Sequence, residues 1–224
     1  EVFYQGYTAR AMTNVVNVTN SKPSFVLALG DNFYNDGVSS INDSMWYTHF
    51  RDVYFRSSAL RGVPWHAALG NHDLGYGSIG VQAQINRTFA ETSDDDGAWS
   101  MRGQWYSVRY AIPCAQEDRN SSVVDHSNST AFVQVIVVDT TWLAPSENKA
   151  TNEEGGISVE TQASSIERQL LDLEAIFNET LTDRPTWLIV AGHYPIFSRG
   201  EKGDNEELDI FLRPLLEHFN VHAY

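Results

Sequence analysis

One cysteine in 224 residues, Cys114, excludes a disulfide framework within this chain. It reads as a small apolar residue at a strand end, not as a reactive thiol. Basic residues are also scarce: 15 Lys and Arg stand against 29 Asp and Glu, giving a formal charge of −14. Nucleic-acid phosphates and anionic membranes attract Lys/Arg-rich surfaces, so neither is an expected partner. An acidic chain can still take up a phosphate where bound cations supply the local positive charge. No apolar run approaches the ~18 residues of a membrane span, and the opening EVFYQGYTAR has neither the basic nor the apolar region of a signal peptide. With no internal repeat and no visible domain boundary, residues 1–224 read as one domain, long enough to bury a substantial core.

What the chain does have is an alternation of short apolar runs with helical patterns. Phe25–Leu29, Pro64–Leu69, Phe132–Val138 and Trp187–Ala191 suit strands covered on both faces. Ile166, Leu170, Leu173 and Phe177 recur at helical spacing and predict a helix over Val159–Asn178. Glu206–Phe219 has a similar stripe interrupted by Pro214, and Tyr7–Val18 fits a third helix. The expected fold is a layered α/β domain with a largely parallel sheet flanked by helices. Asp94–Asp96 reads as a solvated acidic turn, and the polar segment 120–130 as an exposed loop. Six N-x-S/T sequons, at Asn17, Asn42, Asn86, Asn120, Asn128 and Asn178, point to a glycoprotein of the secretory pathway, secreted or in a lysosome- or vacuole-like compartment.

Three of the four apolar runs stop at a glycine followed at once by a good metal ligand: Gly30-Asp31, Gly70-Asn71 and Gly192-His193. Ligands of open α/β sheets bind outside the carboxyl ends of the strands, and glycine lets the backbone turn sharply there. The first junction, G-D-N-F-Y, makes Asp31 a candidate bridge between two cations. Its Tyr34 is a poor ligand for divalent ions at neutral pH but can bind a strongly Lewis-acidic ion as phenolate. The second, G-N-H-D, offers the neutral amide of Asn71. His72 beside it suits a general acid or a donor to phosphate oxygens, and Asp73 a carboxylate that orients His72. The third, V-A-G-H-Y-P, supplies the imidazole of His193.

These blocks, in this order and spacing, resemble three of the five metal-site blocks of the purple acid phosphatases, and most closely the small tartrate-resistant type of the metallophosphoesterase superfamily. The likeness extends to V-P-W before the second block and L-R-P-L-L near the end. It implies a metallophosphoesterase-type fold with the site at the strand ends, and hydrolysis of phosphate monoesters at a dinuclear centre of Fe(III) and a divalent Fe, Zn or Mn. By the same resemblance Asp31 bridges both metals, Tyr34 binds the ferric ion, Asn71 and His193 bind the divalent ion, and His72 assists without ligating. Small phosphate monoesters or phosphoproteins are the implied partners. The family's first block, D-x-G, is expected before Glu1 and its last, G-H-x-H, after the strand that begins at Val221, with His222 a strand residue. Four of seven expected ligands then fall within the chain, which reads as incomplete at both termini and as a poor binder of a dinuclear centre by itself. Two alternatives stay open: another metallophosphoesterase (a phosphodiesterase or nucleotidase), and a non-catalytic relative serving as a binding module.

Overall fold

The computed structural model describes residues 2–90, 97–113, 131–147, 159–201 and 203–224. Cys114, residues 94–96 and the segment 120–130 lie outside them. Among the described residues six strands form two three-stranded sheets, flanked by helices as expected. In the first, β1 (Val26–Leu29), β2 (Trp65–Ala68) and β3 (Trp99–Ser100) run parallel, with Val26 opposite Trp65 and Trp65 opposite Trp99. In the second, β4 (Tyr106–Ala111) pairs antiparallel with β5 (Phe132–Val137), and β5 pairs parallel with β6 (Trp187–Ala191). The segment containing His222 adds a strand-like contact to β6, with Ala223 bridged to Ile189 and His222 N–H donating to Leu188 O at 2.8 Å.

The helices are α1 (Val2–Thr19), the short α2 (Asp52–Tyr54) that continues a π-helical turn over Trp46–Arg51, α3 (Gly77–Phe89), α4 (Thr140–Leu143), α5 (Val159–Thr182), α6 (Glu206–Phe211) and α7 (Arg213–His218). The predicted break near Pro214 separates α6 from α7, with Pro214 in the first turn of α7, where its missing N–H costs nothing. Among the elements that escape the sequence patterns, two show why. β4, YSVRYA, is only half buried, and the inward face of α3 is Gly80, Val81, Ala83, Gln84 and Arg87, which makes no apolar stripe.

Strand β5 shows how the layers are built. Side chains alternate faces along a strand. Val135 and Val137 join one core with the first sheet, while Ile136 and the following Val138 join another with Leu143, Leu173, Phe177, Leu208 and Leu212. The first core is aromatic: Trp46 and Trp99 meet edge to face at 5.0 Å, Phe33 lies 4.7 Å from Trp46, and Phe50 lies 5.3 Å from both Trp65 and Trp99. Each such fully buried side chain contributes roughly 1.5–3 kcal/mol. The second core is the predicted face of α5: Leu173 and Phe177 are fully buried, and Ile166 and Leu170 pack against them. With β5 between the two cores, the parallel strands β1, β2 and β6 are fixed relative to one another.

Within the first core sits one buried histidine. His66, on β2, is 2% exposed; its Nδ1 is 3.1 Å from Ser100 Oγ and its Nε2 2.6 Å from Tyr110 Oη. Burial, joined by the charge of Arg102, lowers its pKa to about 4, so the ring is neutral in the folded protein.

Candidate metal centre

The ends of β1, β2 and β6 carry the three glycine junctions. After β1 the chain passes through left-handed backbone at two consecutive residues, Gly30 (φ 90°) and Asp31 (φ 50°). Such angles are uncommon for a residue with a side chain, and they swing the Asp31 carboxylate back over the strand ends. Room for it is made by absent methyls. A Cβ on Gly30 would lie 2.6 Å from His193 Nδ1 and 2.8 Å from Gly70 N, and a Cβ on Gly70 would collide with the Asp31 backbone nitrogen and carboxylate.

Asp31 is the point where the predicted residues meet. Its Oδ2 accepts from the Tyr34 hydroxyl at 2.6 Å, and its Oδ1 accepts from the His72 backbone N–H at 3.1 Å. His193 Nε2 stands 3.4 Å from the same Oδ1, although it comes from the other sheet. The far nitrogen of that ring, Nδ1, is 2.8 Å from the Leu29 carbonyl, which can only accept, so Nδ1 carries a proton and Nε2 is the nitrogen that faces Asp31. Asn71 opens the 3-10 turn Asn71–Leu74 directly after Gly70, and its side-chain amide has no hydrogen-bond partner among the described residues.

Asp73, expected to orient His72, is committed elsewhere. It is fully buried and accepts from Gly70 N at 2.9 Å, from Asn32 N at 3.1 and 3.2 Å, and from Asn32 Nδ2 at 3.1 Å, tying the β1 junction to the β2 junction. Burial pushes its carboxyl up to about 7, helped by the charge of Asp31 and opposed by the N–H groups of Gly70 and Asn32. The His72 ring takes its fixed partner from the backbone instead: Nδ1 donates to the Asn35 carbonyl at 2.6 Å, and the ring packs on Tyr34 at 4.5 Å between centroids. Its Nε2 is thereby left as the nitrogen able to meet a ligand.

Sequence reasoning did not reach four further contributors. Asn32 holds Asp73 and also donates to Ala68 O at 2.8 Å; its place inside G-D-N-F-Y was the one available signal. The carbonyls of Leu29 and Asn35 fix the two imidazoles, and backbone groups leave no mark in residue identity. Thr140, which follows β5, accepts from the backbone N–H groups of His193 and Tyr194 at 3.1 and 2.9 Å.

Among the described residues no three His, Cys, Asp or Glu side chains gather into a metal cluster. The donor set is mixed: one carboxylate, one phenol, one unpaired amide and one imidazole whose Nε2 faces the carboxylate. Hard oxygen donors with a single imidazole are the donor types taken by iron, manganese and zinc, and the four residues could hold such ions.

A family model described as calcineurin-like phosphoesterase matches residues 5–224. The chain is 31% identical to tartrate-resistant acid phosphatase type 5 of Rattus norvegicus over 228 residues, which is 97% of this chain and 59% of that one. It is 30% identical to the Homo sapiens protein of the same name, covering 97% and 60%, and 29% identical to purple acid phosphatase 4 of Arabidopsis thaliana, covering 90% and 50%. The chain thus spans about 60% of the length of the mammalian relatives. Among solved structures, GAP50, described as the anchor in the inner membrane complex of Plasmodium, superposes with a TM-score of 0.71 at 22% identity over 97% of this chain and 58% of that one, a likeness of fold.

Proposed function

Since the chain belongs to the calcineurin-like phosphoesterase family, we propose that residues 1–224 are one catalytic unit of an acid phosphatase that hydrolyses phosphate monoesters at a dinuclear centre of Fe(III) and a divalent Fe, Zn or Mn. The observation that carries this reading is the meeting of the Tyr34 phenol and the His193 imidazole on one carboxylate, Asp31. Asp31, Tyr34, Asn71 and His193 would hold metal in this reading, with Tyr34 selecting the ferric ion. When bound, the metals supply Lewis acidity, which lowers the pKa of water and screens the phosphoryl oxygens. The chain's own residues do the rest. Tyr34 would release to solvent the hydroxyl proton that it now donates to Asp31, freeing both oxygens for metal. Asn71 adds an oxygen without adding charge. His72, its Nδ1 proton held by Asn35 O, would donate from Nε2 to the departing alkoxide oxygen when the ring carries its second proton as imidazolium, returning to the neutral ring as it does so.

Replacing His72 by alanine in the intact protein is expected to slow hydrolysis of p-nitrophenyl phosphate in mildly acidic buffer by about 10²-fold or more, with the metal content unchanged. Native turnover in this variant would remove His72 from the mechanism. A native protein without turnover would favour a non-catalytic role; the protein described as an anchor shares this fold. Hydrolysis of diesters in preference to monoesters would favour a phosphodiesterase.

Small phosphate monoesters or phosphoproteins are the proposed substrates. The acidic charge argues against nucleic acid, and no described helix is long and apolar enough to cross a membrane. A secreted or vesicular location is proposed from the sequons. The four within the described residues, at Asn17, Asn42, Asn86 and Asn178, are all exposed. Protein from a secreting host is expected to lose mass on treatment with peptide N-glycosidase; an unchanged mass would end this part of the reading.

A further inference from the structure

Thr140 opens α4 and is fully buried. Its hydroxyl oxygen has two acceptor sites, and the N–H groups of His193 and Tyr194 take both, at 3.1 and 2.9 Å. Its methyl grips the preceding residue: a Cβ on Gly192 would lie 2.6 Å from Thr140 Cγ2. One side chain therefore fixes three consecutive residues of the loop that carries His193.

Thr140 is itself held from behind. The buried amide of Gln169, on α5, reads both backbone groups of Asp139, accepting from its N–H at 2.9 Å and donating to its carbonyl at 3.0 Å. Asp139 caps α4 through Thr141, accepting from its N–H at 3.0 Å and its hydroxyl at 2.5 Å. The Val138 N–H donates to Ala191 O at 2.9 Å, which keeps this peptide in register with β6. A buried chain of contacts thus runs from α5 through Asp139 and Thr140 to the His193 backbone.

The imidazole at its end has the longest reach in the site. It leaves the second sheet and arrives at the first, with Nδ1 on Leu29 O and Nε2 facing Asp31. A small rotation of its backbone would carry both nitrogens off their partners. We infer that Thr140 is a positioning residue for His193, setting the ring so that Nε2 meets the Asp31 carboxylate. The inference rests on the reading of His193 as a metal ligand, and it adds a residue at the start of α4, just beyond β5, to the machinery of the site.

The test compares Thr140→Val, which keeps the shape and removes the hydroxyl, with Thr140→Ser, which keeps the hydroxyl, both in the intact protein. Zinc binding to metal-stripped protein, followed by calorimetry, is expected to weaken about 10- to 100-fold in T140V, the usual cost of losing a residue that orients a ligand, and to stay within about threefold in T140S. In the zinc-free protein, long-range 15N spectra of His193 should show the Nδ1–H tautomer in the native chain and in T140S, and a mixture in T140V. Native tautomer and native affinity in T140V would overturn the inference, as would equal losses in T140V and T140S, which would mark the contact as packing alone. Should T140V not fold, Gln169→Met loosens the same chain from its far end and is read by the same spectra, a native tautomer again counting against the inference. His193→Ala separates the two claims: native zinc affinity there would refute His193 as a ligand, and the tautomer would still decide the role of Thr140.

Discussion

A single methyl at Gly70 is expected to dismantle the candidate centre. In Gly70→Ala the new Cβ would occupy the space of the Asp31 backbone nitrogen and carboxylate. Backbone cannot rotate away as a flexible side chain can, so the β1 junction must move as a unit. That movement would carry with it the Tyr34 and His72 contacts to Asp31 and the Asn32 contacts to Asp73. Overpacking of this kind costs about 1–3 kcal/mol, and the metal content of the intact protein should fall toward zero. Gly6→Ala is the matched control: it lies in α1 with nothing within 4 Å of the added Cβ, and helix propensity predicts a gain of up to about 1 kcal/mol. Urea unfolding together with metal analysis decides the matter. Native stability and full metal in G70A would mean that the junction is not the tight cradle described.

Stability should also fall in acid because of His66. The folded ring takes a proton only near pH 4, whereas the unfolded ring takes one near its ordinary 6.5. Between these values the unfolded chain binds more protons, so unfolding becomes easier as the pH drops. The contribution is constant above about pH 6.5, declines through the window and levels off below about pH 4. A shift of this size is worth roughly 3 kcal/mol over the whole window. Urea unfolding of the metal-free protein at pH 7 and pH 4.5, with His66→Gln beside the native chain, isolates the effect. Asp73 and Asp139, whose carboxyls burial pushes up to about 7 and about 6, act in the opposite sense in both proteins. The native chain should lose about 2–3 kcal/mol more than H66Q over this range; equal losses would show that His66 does not stay neutral. For an enzyme proposed to work in acid, this residue sets part of the cost of doing so.

Local pattern and tertiary context divided the work of reading this chain. FVLAL-GD, PWHAAL-GN and WLIVA-GH were legible because each joins an apolar strand to a glycine and a donor, and strand, turn and chemistry leave separate marks in the sequence. The α5 face was legible from its spacing. β4 was not, because Tyr106–Ala111 is half exposed and gains its regularity from its antiparallel partner β5. α3 was not, since Gln84 and Arg87 occupy positions on its buried face. In the site, residue types named the donors but not their tethers. Asp73 looked like a partner for His72 on adjacency alone, whereas the turn directs it to Gly70 and Asn32. The true restraints on the two rings are the carbonyls of Leu29 and Asn35, which any residue at those positions would supply.

The link between His193 and the end of β1 spans 164 residues of chain. No local fragment can make it. Closing so long a loop is entropically costly, so contacts of this kind form late in folding. A metal ion that requires Asp31 and His193 together would bind the native state and pass over partly assembled ones, and its binding energy would accrue to the finished fold alone. Acquisition of the cofactor would then serve as a checkpoint on maturation, separating molecules whose two halves have docked from those in which they have not.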